Sequence, residues 1–142
     1  MKLVQHLLDR KGRELISIVQ DASVFDAIKL MADRGVGSLL VMEGRDLKGI
    51  VTERDYARKV IIKGRSSEST AVSEIMSTDI VTATPHQSVN DCMTLMTDRR
   101  IRHLPVVDDG EVVGLISIGD LVQAIISDQQ EEIQQLEQYI SG

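Results

Sequence analysis

Gly49-Ile50-Val51-Thr52-Glu53-Arg54-Asp55 occurs twice in this chain, returning 65 positions later as Gly114-Leu115-Ile116-Ser117-Ile118-Gly119-Asp120. Each copy runs glycine, two aliphatic residues, a hydroxyl residue, two intervening positions, and an aspartate that opens a helical pattern. A strand that gives way to a helix here sets a hydroxyl beside a carboxylate. Exposed amide donors and the positive end of a helix macrodipole lie at the same corner. Two readings compete. Thr52 and Ser117 cap the helices while Asp55 and Asp120 favour their first turns, or the pairs accept a ribose diol with amides and nearby arginines left for phosphate.

Outward from the corners the repeat continues. Between Ser23–Asp55 and Ser88–Asp120 the offset never shifts, and 11 of 33 positions are identical. That is an internal duplication. Both hydroxyl–aspartate pairs persist while most surface positions have diverged, which favours ligand binding over capping alone.

The chain order follows one program run twice. Val4 to Leu8 is a short apolar turn, followed by the basic loop Arg10-Lys11-Gly12-Arg13, and Leu15 to Val19 reads as a strand. Ser23 caps a helix with Asp26 in its first turn, and Val24, Ala27, Ile28 and Met31 give that helix one apolar face. Gly35 and Gly37 end it. Ser38–Met42 and Leu47–Val51 form a hairpin around Glu43-Gly44-Arg45-Asp46, and a helix continues from Asp55 to Ile62. A polar linker, 63–71, precedes the restart. Val72, Ile75 and Met76 echo Val4, Leu7 and Leu8; Ile80 to Thr84 reads as a strand broken by Pro85. Ser88 caps with Asp91, Val89, Cys92, Met93 and Met96 repeat the apolar face, and a second hairpin turns at Asp108-Asp109-Gly110.

The fold class expected is therefore mixed α/β: two duplicated units, each short helix, strand, helix, strand, strand, helix. The boundaries are 4–62 and 72–127, with a C-terminal tail at 128–142. Neither unit alone covers both faces of its sheet, so the copies should pack sheet to sheet about a pseudo-two-fold axis and leave two clefts.

Composition excludes several function classes. Aromatics are 2% of the 142 residues and the net charge is −6, which argues against base-stacking nucleic-acid readers and general polyanion binders. A single cysteine, Cys92, fits a reducing, cytoplasmic setting and reads as core. No apolar run approaches membrane-spanning length. His6 and His86 have no partners at metal-ligand spacing, and no nucleophile–base pair recurs in both copies, so neither metal nor catalysis is expected. Positive charge gathers instead at Arg54, Arg58, Lys59, Lys63 and Arg65, and again at Arg99, Arg100, Arg102 and His103.

The duplicated unit, with Leu104-Pro105-Val106-Val107-Asp108 and the Gly-x-x-Ser-x-x-Asp corner, resembles a tandem cystathionine-β-synthase (CBS) domain pair over about residues 4–127. Thr52-Glu53-Arg54-Asp55-Tyr56-Ala57-Arg58-Lys59 is similar to the first copy of small stand-alone bacterial members. The resemblance implies a regulatory module binding adenosyl ligands: AMP foremost, with ADP, ATP, NAD or S-adenosylmethionine as alternatives. It also implies a homodimer shaped as a flat disk and read by an effector protein. Carried over position by position, it assigns the ribose to Asp55 and Asp120, with Thr52 and Ser117 as hydroxyl partners and Arg54 and Gly119 before the aspartates. Phosphate contacts at the second strand match Arg102 and His103 in copy two but Gly37 and Ser38 in copy one, where Arg54, Arg58 and Lys59 would substitute. Ile80 and Pro105 complete the expected nucleotide-binding set. The Asp120 site is expected to take a compact monophosphate and the Asp55 site a longer ligand. The competing reading is a ligand-free dimerisation scaffold.

The tail adds Ile126, Ile133 and Ile140 seven apart with Leu136 between. Two heptads do not establish a coiled coil, and the expectation is a helix packed along its own or a sister subunit.

Overall fold

The computed structural model describes residues 2–141, which form two compact units. The first is continuous, Leu15–Val81. Its sheet has the order β1 (Ser17–Ile18), β2 (Ser38–Glu43), β3 (Asp46–Thr52), with β1 parallel to β2 and β2 antiparallel to β3. The expected strand at 15–19 is thus only two residues long. Helix α2 (Val24–Arg34) begins where Ser23 Oγ accepts from the Asp26 amide at 3.1 Å, and ends at Gly35 in the left-handed region, φ 65°. Val24, Ala27 and Met31 of its apolar face are buried against Leu39, Val41 and Val51 of the sheet, and Ile28 packs at the edge.

Beyond β3 comes a single α-helical turn, α3 (Glu53–Tyr56), which widens into a π-helical turn, Ala57–Ile61. Its bonds span five residues, Ile62 N to Ala57 O at 3.1 Å and Arg65 N to Val60 O at 3.0 Å. A sequence periodicity that fits a helix does not separate the α from the π form. The 3-10 turn Val72–Glu74 closes this unit, with Val72 and Ile75 inside its core.

The second unit is discontinuous: residues up to Glu14 join those from Thr82 onward. Helix α1 (Val4–Lys11) therefore belongs with copy two, and Val72–Ile75 with copy one. The leading segments that echo each other in sequence are exchanged between the copies. Val4 and Leu8 are fully buried and Leu7 nearly so. Each such aliphatic burial is worth about 1.5–3 kcal/mol, so α1 is an integral part of the second unit. It also extends through Arg10 and Lys11, which the sequence placed in a loop.

Helix α4 (Val89–Arg99) repeats α2, with Ser88 Oγ accepting from the Asp91 amide at 3.0 Å and Val89, Cys92 and Met96 buried. Strands β4 (His103–Asp108) and β5 (Glu111–Ser117) form the second hairpin. Both hairpins carry a bulge at the same repeat position, between Val41 and Met42 and between Val106 and Val107.

The strand expected at Ile80–Thr84 does not form. Only the bridge Ala83–Val106 remains, held by Ala83 N to Pro105 O at 2.9 Å and Val107 N to Ala83 O at 2.8 Å. Copy one has a further bond here, Leu40 N to Ile16 O at 3.2 Å. Proline stands at the position equivalent to Leu40 and has no amide hydrogen to donate to Val81. The missing donor shortens the strand.

Helix α5 runs unbroken from Ile118 to Ser141. Leu121 and Ala124 are buried, but Ile126, Ile133, Leu136 and Ile140 are all exposed. Lys2 pairs with Asp128 and Glu131 at 3.4 and 3.7 Å, and from Gln129 onward every described residue of the tail is exposed.

Candidate functional site: two hydroxyl–aspartate corners

At both corners antiparallel pairing sets the second strand's first residue across from the hydroxyl residue, Ser38 opposite Thr52 and His103 opposite Ser117. A main-chain bond ties each pair further: Glu53 N donates to Gly37 O at 3.1 Å, and Ile118 N donates to Arg102 O at 2.8 Å. Gly37, Ser38, Thr52 and Asp55 therefore gather at one corner. Arg102, His103, Ser117 and Asp120 gather at the other.

Both pairs form reciprocal caps. The Thr52 amide and hydroxyl donate to Asp55 Oδ2 at 3.0 and 3.1 Å, while the Asp55 amide donates to Thr52 Oγ1 at 3.2 Å. In copy two the Ser117 amide donates to Asp120 Oδ2 at 2.8 Å and the Asp120 amide to Ser117 Oγ at 3.1 Å. This is the capping box, two orphan donors satisfied by one another's residues. The capping reading is thus realised at both corners.

Capping does not account for a second shared feature, a lysine on each aspartate. Lys59 Nζ lies 3.2 Å from Asp55 Oδ1 and donates to Ile75 O at 2.8 Å. Lys11 Nζ lies 2.6 Å from Asp120 Oδ2 and donates to Leu115 O at 2.7 Å. Each ammonium bridges the carboxylate and a main-chain carbonyl. Lys59, expected from the sequence near phosphate, is paired with Asp55. Lys11 was missed, because nothing local in the sequence links α1 to a residue 109 positions away.

The remaining candidates fall into place unevenly. Arg54, Arg58 and Arg102 are exposed, as is Gly119, whereas Pro105 is buried within β4. Ile80 lies in the first unit, outside any strand.

Electrostatics single out the second corner. Burial pushes the Asp120 carboxyl up, but the Lys11 hydrogen bond, the Ser117 amide and the Lys11 charge outweigh it and hold the group below its ordinary range. His103 is pushed down, first by burial and then by the Lys11 charge, with Asp120 opposing and Arg102 adding to the fall. Burial, with Asp91 nearby, raises the Cys92 thiol to about 11, which makes it an inert core residue. Among the described residues no group of three or more His, Cys, Asp or Glu side chains could hold a metal ion, and no helix is long and apolar enough to cross a membrane.

Duplicated units of this topology, each ending in a hydroxyl–aspartate corner, are those of CBS-domain proteins, and comparison bears this out. The family model for the CBS domain matches residues 11–62 and again 72–127. The chain belongs to the CBS-domain family, as a tandem pair of mixed α/β fold. It is 48% identical over 127 residues to the CBS domain-containing protein CBSX3, mitochondrial, of Arabidopsis thaliana, covering 86% of this chain and 62% of that protein. It is 36% identical to the CBS domain-containing protein YhcV of Bacillus subtilis, covering 80% of each. A solved structure of a protein with CBS domains from Burkholderia ambifaria is 51% identical, with a TM-score of 0.87 over 90% of this chain and 96% of that one. The CBS domain pair of protein MJ0100, solved with 5'-methylthioadenosine and S-adenosyl-L-methionine, is 25% identical, with a TM-score of 0.80 over 90% of this chain and 98% of that one.

Proposed function

We propose that the chain is a non-catalytic regulatory module that binds an adenine nucleotide, AMP foremost, at its hydroxyl–aspartate corners. A homodimer would pass the change in shape to an effector protein. The observation that carries this is the duplicated corner itself, in which a carboxylate and a hydroxyl stand together beside main-chain donors twice in one chain. The adenosyl compounds bound by the MJ0100 pair support the same ligand class. A carboxylate that accepts ribose hydroxyls makes charge-assisted hydrogen bonds worth about 1.5–3 kcal/mol.

Calorimetry and thermal melting with AMP, ADP, ATP and NAD test the proposal. Micromolar binding of at least one is expected, raising stability by roughly 1.4–2.7 kcal/mol at ten to a hundred times Kd. Asp55→Ala and Asp120→Ala should each weaken binding at their own corner by about 10- to 150-fold. No heat and no melting shift at millimolar ligand would leave the corners as caps and the chain as a scaffold.

A further inference from the structure

The Lys11–Asp120 pair stands on the wall of a cavity of about 270 Å³ between α1 and α5. Lys2, His6, Arg10 and Gln123 line it with them. Apart from Asp120, every fully charged side chain on that lining is a cation. Both contacts of Asp120 fall on Oδ2, which leaves Oδ1 outside them. Lys11 spends two of its three donors on Asp120 and on Leu115 O.

We propose that Lys11 sets the charge of the ligand accepted at the Asp120 corner, admitting adenosyl compounds that carry a 5'-phosphate and disfavouring neutral or cationic ones. The inference rests on the reading of Asp120 as a ribose acceptor. A ribose diol that donates to the open Oδ1 draws on the same negative charge that Oδ2 offers Lys11, so a ligand on Asp120 weakens the hold on Lys11. A cation parted from its carboxylate in a partly enclosed site loses a charge-assisted bond that water only partly replaces. A phosphate restores that partner, and Arg10 on the same cavity wall strengthens its hold. A neutral nucleoside gives Lys11 no such compensation. A sulfonium such as that of S-adenosylmethionine adds a like charge to the cavity. Asp55 provides the internal contrast, since its lysine lies one helical turn away on the same segment and not on a separate helix.

The test is calorimetry on the full chain with AMP and with 5'-methylthioadenosine, for wild type, Lys11→Gln and Lys11→Arg. The His103 ring resonances report occupancy of this corner specifically. Wild type is expected to prefer AMP there. Lys11→Gln should lose about tenfold or more for AMP while 5'-methylthioadenosine binds as well or better, and Lys11→Arg should keep the AMP preference. Equal losses for both ligands in Lys11→Gln, with His103 still reporting binding, would overturn the role of Lys11 and leave the nucleotide site standing. Failure of both ligands to bind wild type or either variant would overturn the adenosyl reading and this inference together. A melting curve without ligand separates either result from misfolding.

Discussion

Asp55 takes its lysine from four residues along its own segment, whereas Asp120 takes its lysine from a helix 109 residues earlier in the chain. Both corners share the carboxylate and the two reciprocal amide caps, and Thr52 alone adds a hydroxyl bond to its aspartate. Duplication preserved what the local turn needs and let the counter-charge be found wherever the fold could bring one. The two corners therefore answer differently to change elsewhere. A perturbation of α1 reaches Asp120 directly through Lys11, while Asp55 depends on the geometry of its own widened helical turn.

The exchange of leading segments offers the largest test of how alike the copies are. A Cβ on Gly49 would meet Met76 Sδ and the Ser77 carbonyl oxygen at 2.8 Å, and a Cβ on Gly114 would meet a methyl of Leu8 at 2.5 Å. Each glycine is the seat for the other copy's leading segment, so Gly49→Ala and Gly114→Ala should each destabilise by about 1–3 kcal/mol through overpacking. Gly49→Ala should cost the more, because a carbonyl yields less readily than the end of a side chain. Chemical denaturation of both variants checks the order, and the reverse order would show that the Leu8 seat is the more rigid.

A second test uses acid. His103 has Ser38 as its counterpart, so only the second corner carries an ionisable group at this position. Its folded pKa lies below the ordinary value of about 6.5. The unfolded chain therefore binds the proton more readily, and stability present above about pH 6.5 is lost as pH falls through the folded value. Denaturation midpoints should decline over that window in wild type and decline less in His103→Ser. Identical slopes would place the pH dependence elsewhere.

The smallest effect concerns the helix ends. Arg100 occupies the left-handed position, φ 55°, that Gly35 fills in copy one. Arg100→Gly relieves the Cβ conflict at that φ and should raise stability by up to about 1 kcal/mol. A fall in Tm would mean that the arginine side chain contributes more than its backbone conformation costs.

Much of this architecture was legible because it is local. Ser23 and Ser88 announce their caps three residues before Asp26 and Asp91, and the hairpins follow from apolar runs on either side of a polar turn. The corners were legible for the same reason, since Thr52 and Asp55 sit within one turn of each other. What escaped were the long-range partners. The pattern of Val4, Leu7 and Leu8 shows that these residues must be buried but not which sheet buries them. Lys11 reads in the sequence only as part of a basic loop because its partner is remote. The pattern at Ile80–Thr84 suits a strand that does not form, because the deciding residue, Pro105, lies on the neighbouring strand. The periodicity of the tail marks an apolar stripe on α5, and none of the described residues buries Ile133, Leu136 or Ile140.

The exchanged segments also impose an order on synthesis. Leu15–Val81 is one uninterrupted stretch, so a nascent chain can complete that unit before β4 and β5 exist. Helix α1 is translated ahead of it, yet its contacts at Leu115 and Asp120 arrive 104 and 109 residues after Lys11. At roughly 5–20 residues per second, that interval lasts on the order of 5–20 s. Throughout it Val4, Leu7 and Leu8 lack the strands that bury them, while the unit made after them already has all of its residues.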